Sequence, residues 1–266
     1  MKFWDKFTSF DAALKAWEDN FEIGNRKTTE SSKKNLDSNI IFQRPLRIKA
    51  LLYLLKQDKD LSLLKNFSKF FFYHLKNILR SYLKKTPCIL KDNLYLYNID
   101  DFEEGKAGLS SKDTLFILGF SYCQKPIACP KKRFTCECIY DYENKTCSQC
   151  FIGKCINAMN KNDIYLIIPD IKYISEKLFE ISYQNPNKNI FFVISSCSLS
   201  IKMFSDFANI LKLQGIAIRL LGRVCLNYKS FLFAEKGLKN GLTYISDENE
   251  KTIFEILKIR WSIPKD

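Results

Sequence analysis

The stretch Ile164–Leu221, IYLIIPDIKYISEKLFEISYQNPNKNIFFVISSCSLSIKMFSDFANILKLQGIAIRLL, alternates two kinds of pattern. IYLII (Ile164–Ile168), IFFVIS (Ile190–Ser195) and IAIRLL (Ile216–Leu221) are nearly unbroken runs of β-branched, aromatic and other apolar residues. Such runs suit strands covered on both faces, where neither side has to meet water. Between them, IKYISEKLFEISYQ (Ile171–Gln184) and LSIKMFSDFANILKLQ (Leu199–Gln214) carry apolar residues at helical spacing, and Gly215 stands at the C′ position of the second. A fourth run, TLFILGF (Thr114–Phe120), lies upstream, and ENEKTIFEILKIRW (Glu248–Trp261) reads as a closing helix. Strand–helix alternation with right-handed crossovers predicts an α/β fold, a mostly parallel sheet of about four to five strands with flanking helices.

Cysteines follow three of these runs. Cys123 comes after TLFILGF, Cys197 after IFFVIS and Cys225 after IAIRLL. In a parallel sheet all carboxyl ends lie on one edge, where open α/β folds keep their sites. The segment C-QKPIA-C-PKKRFT-C-E-C-IYDYENKT-C-SQ-C-FIGK-C (Cys123–Cys155) holds seven of the ten cysteines and reads as a loop inserted after the first strand. Thiolates are soft ligands that select zinc, copper(I) or iron–sulfur clusters. Cys147-x2-Cys150 and Cys136-x-Cys138 have the spacing of a four-cysteine zinc site, and Cys123, Cys129, Cys155, Cys197 and Cys225 would suffice for a second site or a cluster. These nine cysteines are the expected metal ligands, for an iron–sulfur cluster or, as the alternative, zinc; Cys88 stands apart. Arg219, Arg223 and Lys154 lie near cysteines and are candidates for holding an anionic cofactor or substrate, or for plain counter-charge.

Upstream, residues 1–22 read as a short amphipathic helix and Gly24–Asn39 as a polar linker. LRIKALLYLLKQ reads as a helix with Pro45 near its start. A second helix is expected from about Asp60 to Thr86-Pro87, with Leu64, Phe67, Phe71, Leu75, Ile78 and Tyr82 on one stripe and lysines opposite. That stripe suits core packing, with a peripheral membrane contact through residues 64–84 as the competing reading. His74, the one histidine, has no partner at ligand spacing and reads as structural. The chain thus divides into an N-terminal helical region (1–100, with its linker at 24–39) and a Cys-rich α/β metal-binding domain (110–266).

The net charge is +13, but 34 of the 42 basic residues are Lys and only 8 are Arg. Arg is the bidentate donor favoured at phosphates and base edges, so this charge is weak evidence for nucleic acid. The opening residues do not form a signal peptide, and no apolar stretch would span a bilayer, so a reducing cytoplasm is expected. There, clustered cysteines mean metal or redox chemistry more often than disulfides.

The motifs ILGFSYCQK…CPKKR, CSQCFIGKC, VISSC and GIAIRLLGRVC resemble the cysteine-rich "domain of unknown function 116" family of bacteria and archaea, over roughly residues 110–230. The resemblance implies a metal-binding α/β domain in which Cys123, Cys129, Cys147, Cys150, Cys155, Cys197 and Cys225 occupy the family's cysteine positions. The family has a tighter Cys-Gly-x-Cys where this chain has FIGK between Cys150 and Cys155. No reaction comes with it.

Taken together, these patterns lead us to expect a thiolate-ligated metal protein, with a redox or metal-assisted role at the carboxyl-end rim and a redox or protein partner. The alternative is a non-catalytic zinc module that binds nucleic acid, through Lys131, Lys132, Arg133 and Phe134, or a protein partner. No P-loop, GxGxxG, HExxH or Ser/His/Asp set assigns an enzymatic reaction.

Overall fold

The four apolar runs become adjacent strands of one sheet. The computed structural model describes residues 6–19, 28–31, 44–84, 87–91, 94–239 and 241–263. β4 (Thr114–Ser121), β5 (Ile164–Ile168), β6 (Asn189–Ser196) and β7 (Gln214–Arg219) are parallel, in the order β5-β4-β6-β7. The sheet has six strands: β3 (Leu94–Tyr97) pairs antiparallel with β7, and β2 (Ile89–Lys91) with β3. The fold is therefore mixed α/β, with a central, mostly parallel sheet and an N-terminal helical stretch.

Side chains alternate between two helical layers. Phe116, Phe120 and Phe191 face α5 (Phe102–Leu109), α7 (Phe151–Ala158) and α11 (Asp247–Trp261). Phe192 faces α9 (Ser198–Ile210), meeting Phe204 at 6.3 Å between centroids. α8 (Ile171–Gln184) lies beside α9, and α2 (Arg44–Gln57), α3 (Ser62–Lys69) and α4 (Phe71–Leu83) pack outside this pair. Two buried arginines fasten the layers. Arg260 of α11 reaches Asp163 at 2.7 Å and the Leu109 and Thr114 carbonyls, while Arg47 of α2 donates from Nε to Asp206 of α9 at 2.7 Å.

Several local expectations change. The helix read from about Asp60 breaks at Phe70, so α3 and α4 present different faces: Leu64 and Phe71 are exposed, while Leu63, Asn77 and Ile78 are buried. His74 repairs the break by donating from Nδ1 to the Phe67 carbonyl at 2.8 Å, a structural role. The helix through Leu199 ends at Ile210, and Gly215 lies inside β7, where a Cβ would stand 2.4 Å from the Phe192 carbonyl oxygen. IAIRLL spans a corner: β7 stops at Arg219 and β8 (Leu221–Cys225) joins a separate antiparallel sheet with β1 (Thr28–Ser31) and β9 (Thr243–Tyr244). β1 thus falls within the stretch read as linker. Of the N-terminal helix, α1 (Phe10–Asp19) is described, and residues 1–5 and 20–22 lie outside the described residues. Among the described residues no helix is long and apolar enough to cross a membrane.

Candidate functional site

The two rims of the parallel sheet are chemically different. At the carboxyl-end rim, Cys123, Cys197 and Cys225 line one cavity of about 60 Å³; Cys123 and Cys197 follow parallel strands, whereas Cys225 arrives at the end of β8, in the antiparallel sheet. Cys123 sits in the turn after β4, its Sγ 2.8 Å from Ser121 Oγ. Cys197 precedes α9, its Sγ 3.2 Å from Ser200 Oγ. The Cys225 thiol has two acceptors in reach, the Ser230 carbonyl at 3.6 Å and the Cys197 sulfur. Lys239 joins them from the segment before β9. It is 1 % exposed, and its Nζ meets no conventional acceptor. Burial works against its charge, yet the Cys123, Cys225 and Cys197 thiols hold its pKa above the ordinary lysine value. The hydrogen bond from Cys225 holds the Cys197 thiol well below the ordinary cysteine pKa despite burial, with Lys239 and Ser200 assisting. Cys225 is correspondingly pushed up by its bond to Cys197 and by burial.

Arg133 sets Lys239 in place. Its buried guanidinium donates to the Lys239 carbonyl at 2.9 Å, the Cys123 carbonyl at 3.1 Å and the Gly241 carbonyl. Phe134 is buried edge-on against Tyr122, 4.5 Å between centroids. Neither residue is offered to a nucleic acid, because both are consumed in fixing the inserted loop. Lys131 is paired with Glu137 at 3.2 Å.

Within that loop, Cys129, Cys138, Cys147 and Cys150 surround a second, smaller cavity with Lys125. The Lys125 ammonium is buried and donates to Thr135 Oγ1 and the Glu137 carbonyl, both at 2.9 Å. Burial lowers its pKa against the pull of the Cys129, Cys138 and Cys136 thiols. Cys136 is exposed and hydrogen-bonded with Tyr173. Cys155 lines neither cavity: it is fully buried in the core beneath α7, where burial pushes its thiol up. Cys88 is likewise buried, its pKa pushed up to about 12 by burial. All ten cysteines are unpaired thiols. Arg219, Arg223 and Lys154 do not line the thiol cavity. Arg219 is buried with Tyr95 and Lys202 in its field, Arg223 packs against Gly241, and Lys154 is exposed on α7.

This geometry overturns the thiolate-metal expectation. Among the described residues, the donor atoms that approach within 4.8 Å of one another in a group of three or more belong to Asp58, Asp60 and Glu176, and no three cysteine sulfurs do so. The iron–sulfur cluster and its zinc alternative are therefore not supported, and neither is the redox function built on them. The physical reason is separation: the nine cysteines are divided between the rim cavity, the loop cavity, the exposed Cys136 and the core-buried Cys155. The three carboxylates form a group that could hold a cation, but their oxygens are engaged. Asp58 accepts from the Leu63 and Leu64 amides at 3.0 and 2.9 Å, and Lys172 bridges Asp60, at 3.1 Å, and Glu176.

The amino-end rim carries a groove that no sequence pattern announced. It encloses about 1150 Å³ between α4, the carboxyl ends of α8 and α9, and the starts of β6 and β7. Among the described residues, Lys69, Arg80, Lys84, Lys188 and Lys212 line it, and no Asp or Glu does. Phe70, Tyr73 and Tyr183 supply rings, with Lys69 Nζ 4.8 Å from the Tyr183 centroid and Lys212 Nζ 5.4 Å from that of Tyr73. Its residues come from separate segments, so only the fold assembles it. No protein-family model matches the chain, and no curated protein or solved structure is similar to it.

Proposed function

We propose that the chain is a non-catalytic binding protein for single-stranded nucleic acid, which lies in the amino-end groove. One observation carries this: five cationic side chains and three aromatic residues share a groove that has no carboxylate among its described lining residues. Lysines and arginine neutralise a phosphate backbone, and exposed rings accept unstacked bases without a sequence requirement. The groove is larger than the cavities that take drug-sized ligands, which suits a polymer segment. The Lys69 and Lys212 ammonium groups rest on the Tyr183 and Tyr73 rings, so cation and ring are paired at both places, and a base that displaces the ammonium onto its own phosphate would stack there. A reducing cytoplasm, where the ten thiols remain thiols, is the compartment we assign to it. Kinship with the "domain of unknown function 116" family over residues 110–230 belongs to the same proposal and rests on the order of the cysteines.

Fluorescence anisotropy with a labelled oligothymidylate or oligouridylate tests it. About four phosphate contacts on a single strand give about a 50-fold loss of affinity between 50 and 200 mM salt. Lys69→Ala and Lys212→Ala should each reduce the logarithmic salt slope by about 0.7. Lys145→Ala and Lys229→Ala, which remove the same charge from exposed positions outside the groove, should leave it nearly unchanged. Equal effects from both pairs would show charge without a site and sink the proposal. Flotation with anionic vesicles through these residues, without nucleic-acid binding, would replace it with a membrane-surface reading, for which the exposed Phe72 and Leu83 of α4 supply apolar contact.

A further inference from the structure

We propose that the carboxyl-end cavity is a metal-free dithiol site at which Cys197 and Cys225 reduce a small hydroperoxide and become a disulfide. Three observations meet there. Cys197 and Cys225 line the same cavity, although one precedes α9 and the other ends β8. A fully buried ammonium, Lys239, lines the same cavity with no conventional acceptor of its own. The cavity of about 60 Å³ has room for about two waters, so it admits a hydroperoxide and excludes a bulky disulfide.

The chemistry balances within these groups. The Cys197 thiolate attacks one peroxide oxygen, the O–O bond breaks, and the departing hydroxide or alkoxide takes a proton to leave as water or alcohol. Cys197 is then a sulfenic acid. The Cys225 sulfur attacks the Cys197 sulfur, the S–O bond breaks, and the leaving hydroxide takes the Cys225 proton as water. Two thiols have given two electrons to the peroxide, and the product is the Cys197–Cys225 disulfide. Lys239 steadies the Cys197 thiolate beforehand and the departing oxygen anion during the first step. The lowered pKa of Cys197 and the raised pKa of Cys225 match the roles of attacking and resolving thiol.

The test uses the reduced full-length protein and one equivalent of hydrogen peroxide, read by peptide mapping and by a sulfenic-acid-specific diketone. Trypsin separates the peptides holding Cys123, Cys197 and Cys225. The expected product is a Cys197–Cys225 linkage with a loss of two mass units, formed at least about tenfold faster than oxidation of Cys136, which access alone would favour. In Cys225→Ser the Cys197 sulfenic acid should persist and take the diketone. Oxidation of Cys136 first, with Cys197 and Cys225 still reduced, overturns the proposal, and so does a Cys123–Cys197 linkage. The wild-type map decides even where the variant does not fold.

Discussion

The two ends of the parallel strands have been put to opposite uses. The amino-end rim opens into a wide groove whose cations come from helix ends and loops, and the carboxyl-end rim closes over a small cavity of thiols around one buried ammonium. Geometry explains part of the contrast. At the carboxyl end, the inserted loop folds back over β4 and is tied down by Arg133, so that rim is roofed. At the amino end, α4 stands off the sheet and leaves space between itself and the starts of β6 and β7. The lesson is that charge in this chain acts by enclosure: a net +13 spread over lysines says little, whereas five cations in one groove and one in a small thiol-lined cavity each define a chemistry.

The largest effect should come from the joint that holds the groove wall. Arg47 is 1 % exposed and holds Asp206 of α9 together with the Ser81 carbonyl of α4. Arg47→Met strands a buried carboxylate and should cost about 3–5 kcal/mol in denaturant unfolding. Amide exchange should then accelerate in α4 before it does in β6. Uniform acceleration would mean that the wall and the sheet open as one unit and that the two rims are less separable than drawn here.

Next in size is reversal of charge in the groove. Lys69→Glu with Lys212→Glu should weaken oligonucleotide binding by at least about tenfold at low salt. The Cys197–Cys225 oxidation map should not change. Altered peroxide chemistry in this variant would couple the rims across the sheet and break the comparison.

Histidine 74 gives a smaller, pH-dependent test at the groove floor. Burial lowers its pKa, against the Phe67 carbonyl, which favours the charged ring. As pH falls below about 6.5, the unfolded chain binds this proton before the folded one does. The stability it contributes is therefore complete above that value and lost as pH falls towards the folded pKa. His74→Gln keeps a donor for Phe67 and removes the titration. Between about pH 7.5 and about pH 5, wild-type Tm should fall more than that of the variant; parallel curves would refute the assignment.

Much of the sheet was legible because its strands are covered on both faces and so read as unbroken apolar runs; β4 to β7 lie within two residues of those runs. The helix Ile171–Gln184 was legible end to end from its period. The break at Phe70 was not, because the apolar stripe continues across it and the stabilising bond comes from a side chain. The short helix α5 has no apolar run to announce it; Asp101 caps it, and Gly105 lets it sit against Phe191. At the rim, strand-end position accounts for Cys123 and Cys197, whereas Cys225 reaches the cavity through the corner after Arg219 and the strand β8. Ligand identity was not readable from spacing, because the partner that decides it, Lys239, is one lysine among 34.

Cys155 sharpens the same point with the smallest effect. It was a ligand candidate as one of the five cysteines left for a second site, yet Cys150 caps α7 and five further residues turn the helix by about 140°. Cys150 therefore lines the loop cavity while Cys155 enters the core. Cys155→Ala removes one packed sulfur and should cost about 1 kcal/mol of stability, measured by denaturant midpoint. The peroxide product and its rate should match the wild type. A lost Cys197–Cys225 linkage in a folded Cys155→Ala protein would mean that the loop thiols and the rim thiols act as one set, joined through this buried sulfur. An unchanged linkage would leave the loop cysteines as packing around Lys125 and confine the chemistry to the rim.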